Sequence, residues 1–171
     1  MTSYFPHTAY AEDQPNAHAI LYPHVVRAAA MSGSFLSLVT TPTSVLISRY
    51  RYATPLTLAT FLPRLLTHAG RGLVIGSVLG VVRTSGQMFG REEIEWQDRA
   101  WRLQENKGEE ITDVFSFEAA AVGAVVAGLA ARGGRLGAMS PGRAAMGGAG
   151  LGTAAGVGFM ISTFARGRKP A

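Results

Sequence analysis

The sequence predicts an all-α membrane protein, with four transmembrane helices in two glycine-laddered hairpins joined by a charged extramembrane helix. Three observations predict it. Apolar residues make up 47% of the 171-residue chain and charged residues only 16%, against roughly a quarter in ordinary soluble domains. Glycine occurs 21 times, too often for a soluble helical bundle but well suited to close-packed membrane helices. Nine of the eleven acidic residues lie between Glu92 and Glu118, so one charged stretch divides two apolar halves. The segments expected are an N-terminal extramembrane segment (1–24), a first hairpin (25–90), a connector (91–113), a second hairpin (114–165) and a basic tail (166–171).

Residues 1–24 contain Pro6, Pro15 and Pro23 and the pair Glu12–Asp13, which predicts an extended, loop-like lead. His7, His18 and His24 fall in or beside it. Their spacing matches no metal site and no carboxylate ligand is evident nearby, so no metal is expected. Arg27 is the first basic side chain, whereas a cleavable mitochondrial presequence is arginine-rich, so a mitochondrial address would be internal.

The 21 residues from Ala28 to Ser48 carry no charge, enough to cross roughly 30 Å of hydrocarbon at 1.5 Å per residue. Arg27 and the Arg49/Arg51 pair bracket this first span. Pro42 lies inside it and should kink it, with Thr40, Thr41 and Thr43 placed to satisfy freed backbone groups. The second span is expected over 67–88, although only Gly72–Val82 is free of charge. Gly72, Gly76, Gly80 and Thr84 form a small-residue ladder on one face, which lets two backbones approach where no hydrophobic effect drives helices together. Arg71 and Arg83 must snorkel or face protein.

In the connector, Arg91–Lys107 has helical spacing. Glu95–Arg99 and Asp98–Arg102 are i,i+4 pairs in the better orientation, and Gly108 stands where the helix would stop. Two readings apply: a solvated helix between hairpins, or a docking helix that places Trp96 and Trp101 at a headgroup boundary or in a partner's groove. The third span, 114–132, carries the ladders Ala120/Ala124/Gly128 and Gly123/Ala127/Ala131. Glu118 is assigned to its first turn, where a helix N-terminus tolerates a carboxylate; the other reading is an intramembrane proton-carrying acid. Ser140 and Pro141 read as N-cap and first position of the fourth span, 143–165, whose ladder is Gly148/Gly152/Gly156.

Several function classes are disfavoured. The formal charge of +5 comes from single arginines at the edges of apolar runs, with no basic cluster, so nucleic acid is not the expected partner. The absence of cysteine excludes thiolate nucleophiles and cysteine-ligated metal or iron–sulfur sites. Gly150, Gly152 and Ala155 match a GxGxxA dinucleotide pattern formally, but no strand precedes it and no acid follows. No catalytic constellation, catalytic metal or small-molecule substrate site is evident.

Four glycine-laddered spans with an acidic connector after the second resemble the Tim17/Tim22/Tim23-type four-helix architecture. The stretches HTAYAEDQPNAHAILYPH and GREEIEWQDRAWRLQENKG resemble fungal accessory membrane subunits of mitochondrial NADH:ubiquinone oxidoreductase, respiratory complex I. The resemblance implies a non-catalytic accessory subunit of the respiratory chain, packed on core and accessory membrane subunits of complex I in the mitochondrial inner membrane. It implies no cofactor beyond structural phospholipid held between helices. The other expectation is a component of an inner-membrane protein translocase; a small transporter would need paired intramembrane charges.

With four spans, both termini and the connector share one side of the membrane. The 49–71 and 132–143 loops share the other and carry seven arginines with no acid. The rule that basic loops stay inside places these short loops in the matrix, and the termini and connector in the intermembrane space.

Overall fold

The computed structural model describes residues 4–166 and is all-α among them. Six α-helices follow a short 3₁₀ turn: α1 (Ala17–Phe35), α2 (Ser37–Tyr52), α3 (Leu58–Met88), α4 (Glu93–Glu105), α5 (Lys107–Arg132) and α6 (Pro141–Ala165). Four stretches are long and apolar enough to cross a membrane: α1 with α2, α3, α5, and α6 through Thr163. The expected basic tail lies outside the described residues beyond Arg166.

Each boundary has a local cause. Asn16 stands in the left-handed region (φ 59°), which its short side chain tolerates, and α1 starts directly after it. Residues 17–24 are therefore helical, where the prolines suggested an extended lead. Pro23 lies in the second turn, where it forgoes one bond to the Ala19 carbonyl without ending the helix. The first span passes from α1 to α2 through Leu36 alone, and Leu36 keeps helical dihedrals. Near Pro42, Thr43 Oγ1 donates to the Val39 carbonyl at 2.9 Å. Thr57 and Thr60 form a reciprocal capping box that starts α3, nine residues before the expected span.

Asn106 sets the largest departure from the expected boundaries. It ends α4, and its Oδ1 accepts from the N–H groups of Gly108 (3.1 Å) and Glu109 (3.3 Å), which caps α5. Gly108 thus lies in the first turn of α5 rather than stopping α4. The helix of the third span begins at Lys107, and Glu118 sits about three turns inside it rather than in its first turn. At the far end of α5, Gly134 takes φ 72°, with Arg135 N–H bonded to the Ala130 carbonyl and Gly134 N–H to that of Ala131, both at 3.0 Å. This is a Schellman stop, and it requires the left-handed residue that glycine supplies. Ser140 and Pro141 open α6 as the sequence indicates, Ser140 Oγ accepting from Arg143 N–H.

The helices pair antiparallel within each hairpin: Gly33 meets Gly72 while Val26 meets Gly80, and Gly123 meets Gly148 while Ala119 meets Gly152. The hairpins join through α3 and α6, which run parallel, with Leu66 against Gly147 and Ala69 against Gly150. Both hairpin turns consequently lie at one end of the bundle, and the N-terminal segment and α4 at the other. Apolar side-chain clusters close each end. Ala17, Ile20, Leu21, Met88, Trp96 and Ala100 form one, and Leu66, Ala127, Ala131, Leu136 and Ala144 the other. Between them the helices touch largely through backbone and small residues.

Candidate functional site

The glycine seams and a buried ionic cluster are the features that the bundle builds most tightly. A Cβ placed on Gly76 would meet the Ala29 carbonyl oxygen and lie 2.8 Å from the Ala30 Cα. One on Gly72 would collide with the Gly33 carbonyl, and one on Gly80 would lie 2.7 Å from the Val26 Cα. The obstacles are backbone atoms, which cannot rotate away, so any side chain here separates the helices. The same holds for Gly148 against the Gly123 carbonyl and Gly152 against that of Ala119. Gly156 instead meets the Ser116 hydroxyl and the Met31 sulfur, where α1, α5 and α6 converge.

In the third span, the second of the two expected ladders provides the closer seam. Gly123 makes the backbone contact and Ala127 and Ala131 are buried, whereas Ala120, Ala124 and Gly128 are half-buried beside it. A Cβ on Gly128 would lie 3.5 Å from Ala145 Cβ, an ordinary contact. A further seam was not read from the sequence at all: Gly147 and Gly150 of α6 receive Leu66 and Ala69 of α3. Its GxxG spacing is visible in the sequence, hidden among the other glycines of α6.

The ionic cluster joins the hairpins at the connector end. Arg27 on α1 reaches Asp113 on α5 at 2.6 Å and Glu109 at 3.4 Å. His24 Nδ1 lies 3.1 Å from both Asp113 carboxylate oxygens. The Arg27 and Asp113 side chains are 3% and 1% exposed, and Arg27 Nη1 also approaches the Met31 sulfur at 3.6 Å. One helix turn separates Glu109 from Asp113, and nearly one separates His24 from Arg27, so each pair presents on a single face.

His24, Glu109 and Asp113 are close enough to offer three ligand atoms to one cation. Sequence spacing among the histidines could not show this, because both carboxylates come from the other hairpin. The Arg27 guanidinium already stands against Asp113 and supplies the positive charge that a divalent ion would bring. A metal would therefore have to displace a buried arginine whose own neutralisation depends on those carboxylates.

The indoles of the connector have partners inside the chain. Trp96 is 7% exposed and stacks on His18 with ring centroids 3.8 Å apart, beside Tyr22 at 5.8 Å. Trp101 Nε1 donates to the Thr8 carbonyl at 2.9 Å, and its ring stacks on His7. Buried Gln14 ties the same lead segment together by donating to the Pro6 carbonyl at 2.8 Å. The connector thus docks on its own N-terminal segment and α1. Of the two expected ion pairs in α4, Asp98–Arg102 forms at 3.0 Å, while Glu95 pairs with Arg91 at 2.8 Å instead of Arg99.

Four membrane-length apolar stretches, seams of glycine against backbone and one hydrophilic cap define the class: a multi-pass membrane protein of four spans. The family described as protein of unknown function (DUF1757) matches residues 7–158, and the chain belongs to that family. No curated protein matches the chain.

Proposed function

We propose that this protein is a non-catalytic accessory subunit that packs on and stabilises the membrane arm of mitochondrial NADH:ubiquinone oxidoreductase. The observation that carries the reading is that its clustered charges and its connector indoles pair within the chain. His24, Arg27, Glu109 and Asp113 are used in joining the hairpins, and the connector tryptophans in fixing the cap. A brace needs such internal rigidity, whereas a carrier of protons or solutes needs polar groups that change partners. The outer faces are aliphatic: Val74, Ile75, Val78 and Leu79 on α3 and Val122, Val125 and Val126 on α5 are all exposed, ready to meet lipid or neighbouring subunits. The resemblance of the lead and connector stretches to accessory subunits of complex I selects the assembly, its core and accessory membrane subunits as partners, and the mitochondrial inner membrane.

The test is a native gel of detergent-solubilised mitochondria carrying a tagged copy of the chain. Co-migration with NADH dehydrogenase activity is expected, together with loss of the intact complex when the protein is depleted. Migration with an inner-membrane protein translocase, or as a free species, would overturn the reading.

A further inference from the structure

We infer that the groove between α3 and α6 at the hairpin-turn end binds the headgroup of an acidic phospholipid. The groove is a cavity of about 520 Å³ whose lining includes Leu66, Gly70, Arg71, Val74, Arg143 and Met146. Two arginines from different helices therefore overlook one apolar floor. Neither guanidinium has a hydrogen-bond or ion-pair partner among the described residues, unlike Arg64 nearby, whose Nη1 reaches Ser48 Oγ at 2.6 Å and the Ser44 carbonyl at 3.2 Å. No Asp or Glu side chain among the described residues pairs with them. The sequence has no Asp or Glu between Asp13 and Glu92 or after Glu118, and those acids lie toward the connector end. The compensating anion must come from outside the chain.

The position selects the anion. Arg143 stands in the first turn of α6, just after the hairpin turn, while Arg71 lies near the middle of α3, beside Gly70, which meets Gly147; its backbone is thus at least one turn deeper, and the groove runs from one arginine to the other. Exposed Tyr50 and Tyr52 close α2 at the same end, as tyrosines do at a headgroup boundary. Met146, one turn beyond Arg143, and Val74 and Ile75, one turn beyond Arg71, give the groove an aliphatic wall along the direction that acyl chains would run. Guanidiniums bind phosphate oxygens in bidentate fashion, and basic pockets between membrane helices collect acidic headgroups. A zwitterionic lipid brings its own cation and neutralises the arginines less well. The inference is independent of which assembly the protein joins.

The experiment uses the full chain purified in a non-ionic detergent, with phosphatidylglycerol, phosphatidylcholine or inorganic phosphate added, read by native mass spectrometry and thermal unfolding. Phosphatidylglycerol should be retained and raise the unfolding temperature, with phosphatidylcholine and inorganic phosphate doing neither. Replacing both arginines (Arg71→Gln with Arg143→Gln) should weaken phosphatidylglycerol binding by roughly tenfold or more. Arg71→Lys with Arg143→Lys, which keeps the charges, should restore part of it and shows that the site rather than the fold was lost. Arg49→Gln with Arg51→Gln should leave binding unchanged. Equal retention of phosphatidylcholine, equal binding by the double glutamine variant, or the same loss in the Arg49/Arg51 variant would each overturn the site. Binding of inorganic phosphate alone would make it a free-anion site.

Discussion

Arg27 on α1 and Asp113 on α5 meet at 2.6 Å with both side chains almost fully buried, so a charge pair ties the first hairpin to the second. Asp113→Asn leaves the guanidinium with only Glu109, at 3.4 Å, and His24 beside it. Removing one partner of a buried pair costs about 3–5 kcal/mol, because the other charge stays desolvated. Thermal unfolding in detergent should show that loss. Pairing Asp113→Leu with Arg27→Met should recover much of it, since apolar residues of similar volume satisfy such a site without charge. A single Asp113→Asn variant as stable as the parent would show that the pair is not formed.

The seams make a graded prediction. Gly76→Leu and Gly152→Leu should each destabilise the bundle by more than the roughly 1–3 kcal/mol of ordinary overpacking, because backbone carbonyls block the added atoms. Gly128→Ala has room and should be neutral or stabilising by up to about 1 kcal/mol through helix propensity. Yield of folded protein after detergent extraction reads both. Equal tolerance of leucine at position 76 and alanine at 128 would mean that the seams face lipid.

The tryptophans predict how the lead segment is held. Trp101→Phe removes the hydrogen bond to the Thr8 carbonyl while keeping most of the ring, so protease should cut residues 4–16 faster with little change in bundle stability. Trp96→Ala empties a place in the connector-end core and should cost about 3–5 kcal/mol. Should Trp101→Phe leave the cleavage rate unchanged, the segment is anchored instead by Gln14 and by Gln104, whose Nε2 donates to the Phe5 carbonyl at 3.2 Å.

The spans were legible because charge-free length and glycine periodicity are local signals, and the paired arrangement of the hairpins followed from them. Helix ends were less legible. Asn106 reads as an ordinary polar residue until its side chain is seen turned onto the N–H groups of Gly108 and Glu109, and prolines at 15 and 23 suggested a loop where α1 had begun. The ionic cluster was hidden for another reason. His24 and Arg27 carry no periodic signature, and Glu109 and Asp113 belong to a helix start that had been placed seven residues too late. Trp96 stacks on His18 and Trp101 bonds the Thr8 carbonyl, and a sequence cannot say whether the groove an indole fills belongs to a partner or to the same chain.

The last prediction concerns orientation. The antiparallel seams put the turns at 53–57 and 133–140 at one end of the bundle, with α4 and the lead segment at the other. The turn end carries Arg49, Arg51, Arg64, Arg132, Arg135 and Arg143 without an acid, with Arg71 near the middle of α3, while most of the acids gather around α4 and the start of α5. Basic residues in short loops hold those loops on the side of synthesis or import, and acids count little against them. In the inner-membrane location proposed above, the turns are therefore expected in the matrix, with α4 facing the intermembrane space. Trypsin added to mitoplasts with an intact inner membrane should cleave at exposed Arg99 or Arg102, once α4 frays, and spare Arg49 and Arg51. Fragment sizes on a gel, read with a C-terminal tag, distinguish the two ends directly. Cleavage at Arg49 or Arg51 with α4 protected would invert the protein in the membrane. It would also place the proposed lipid groove in the opposite leaflet, leaving its chemistry unchanged.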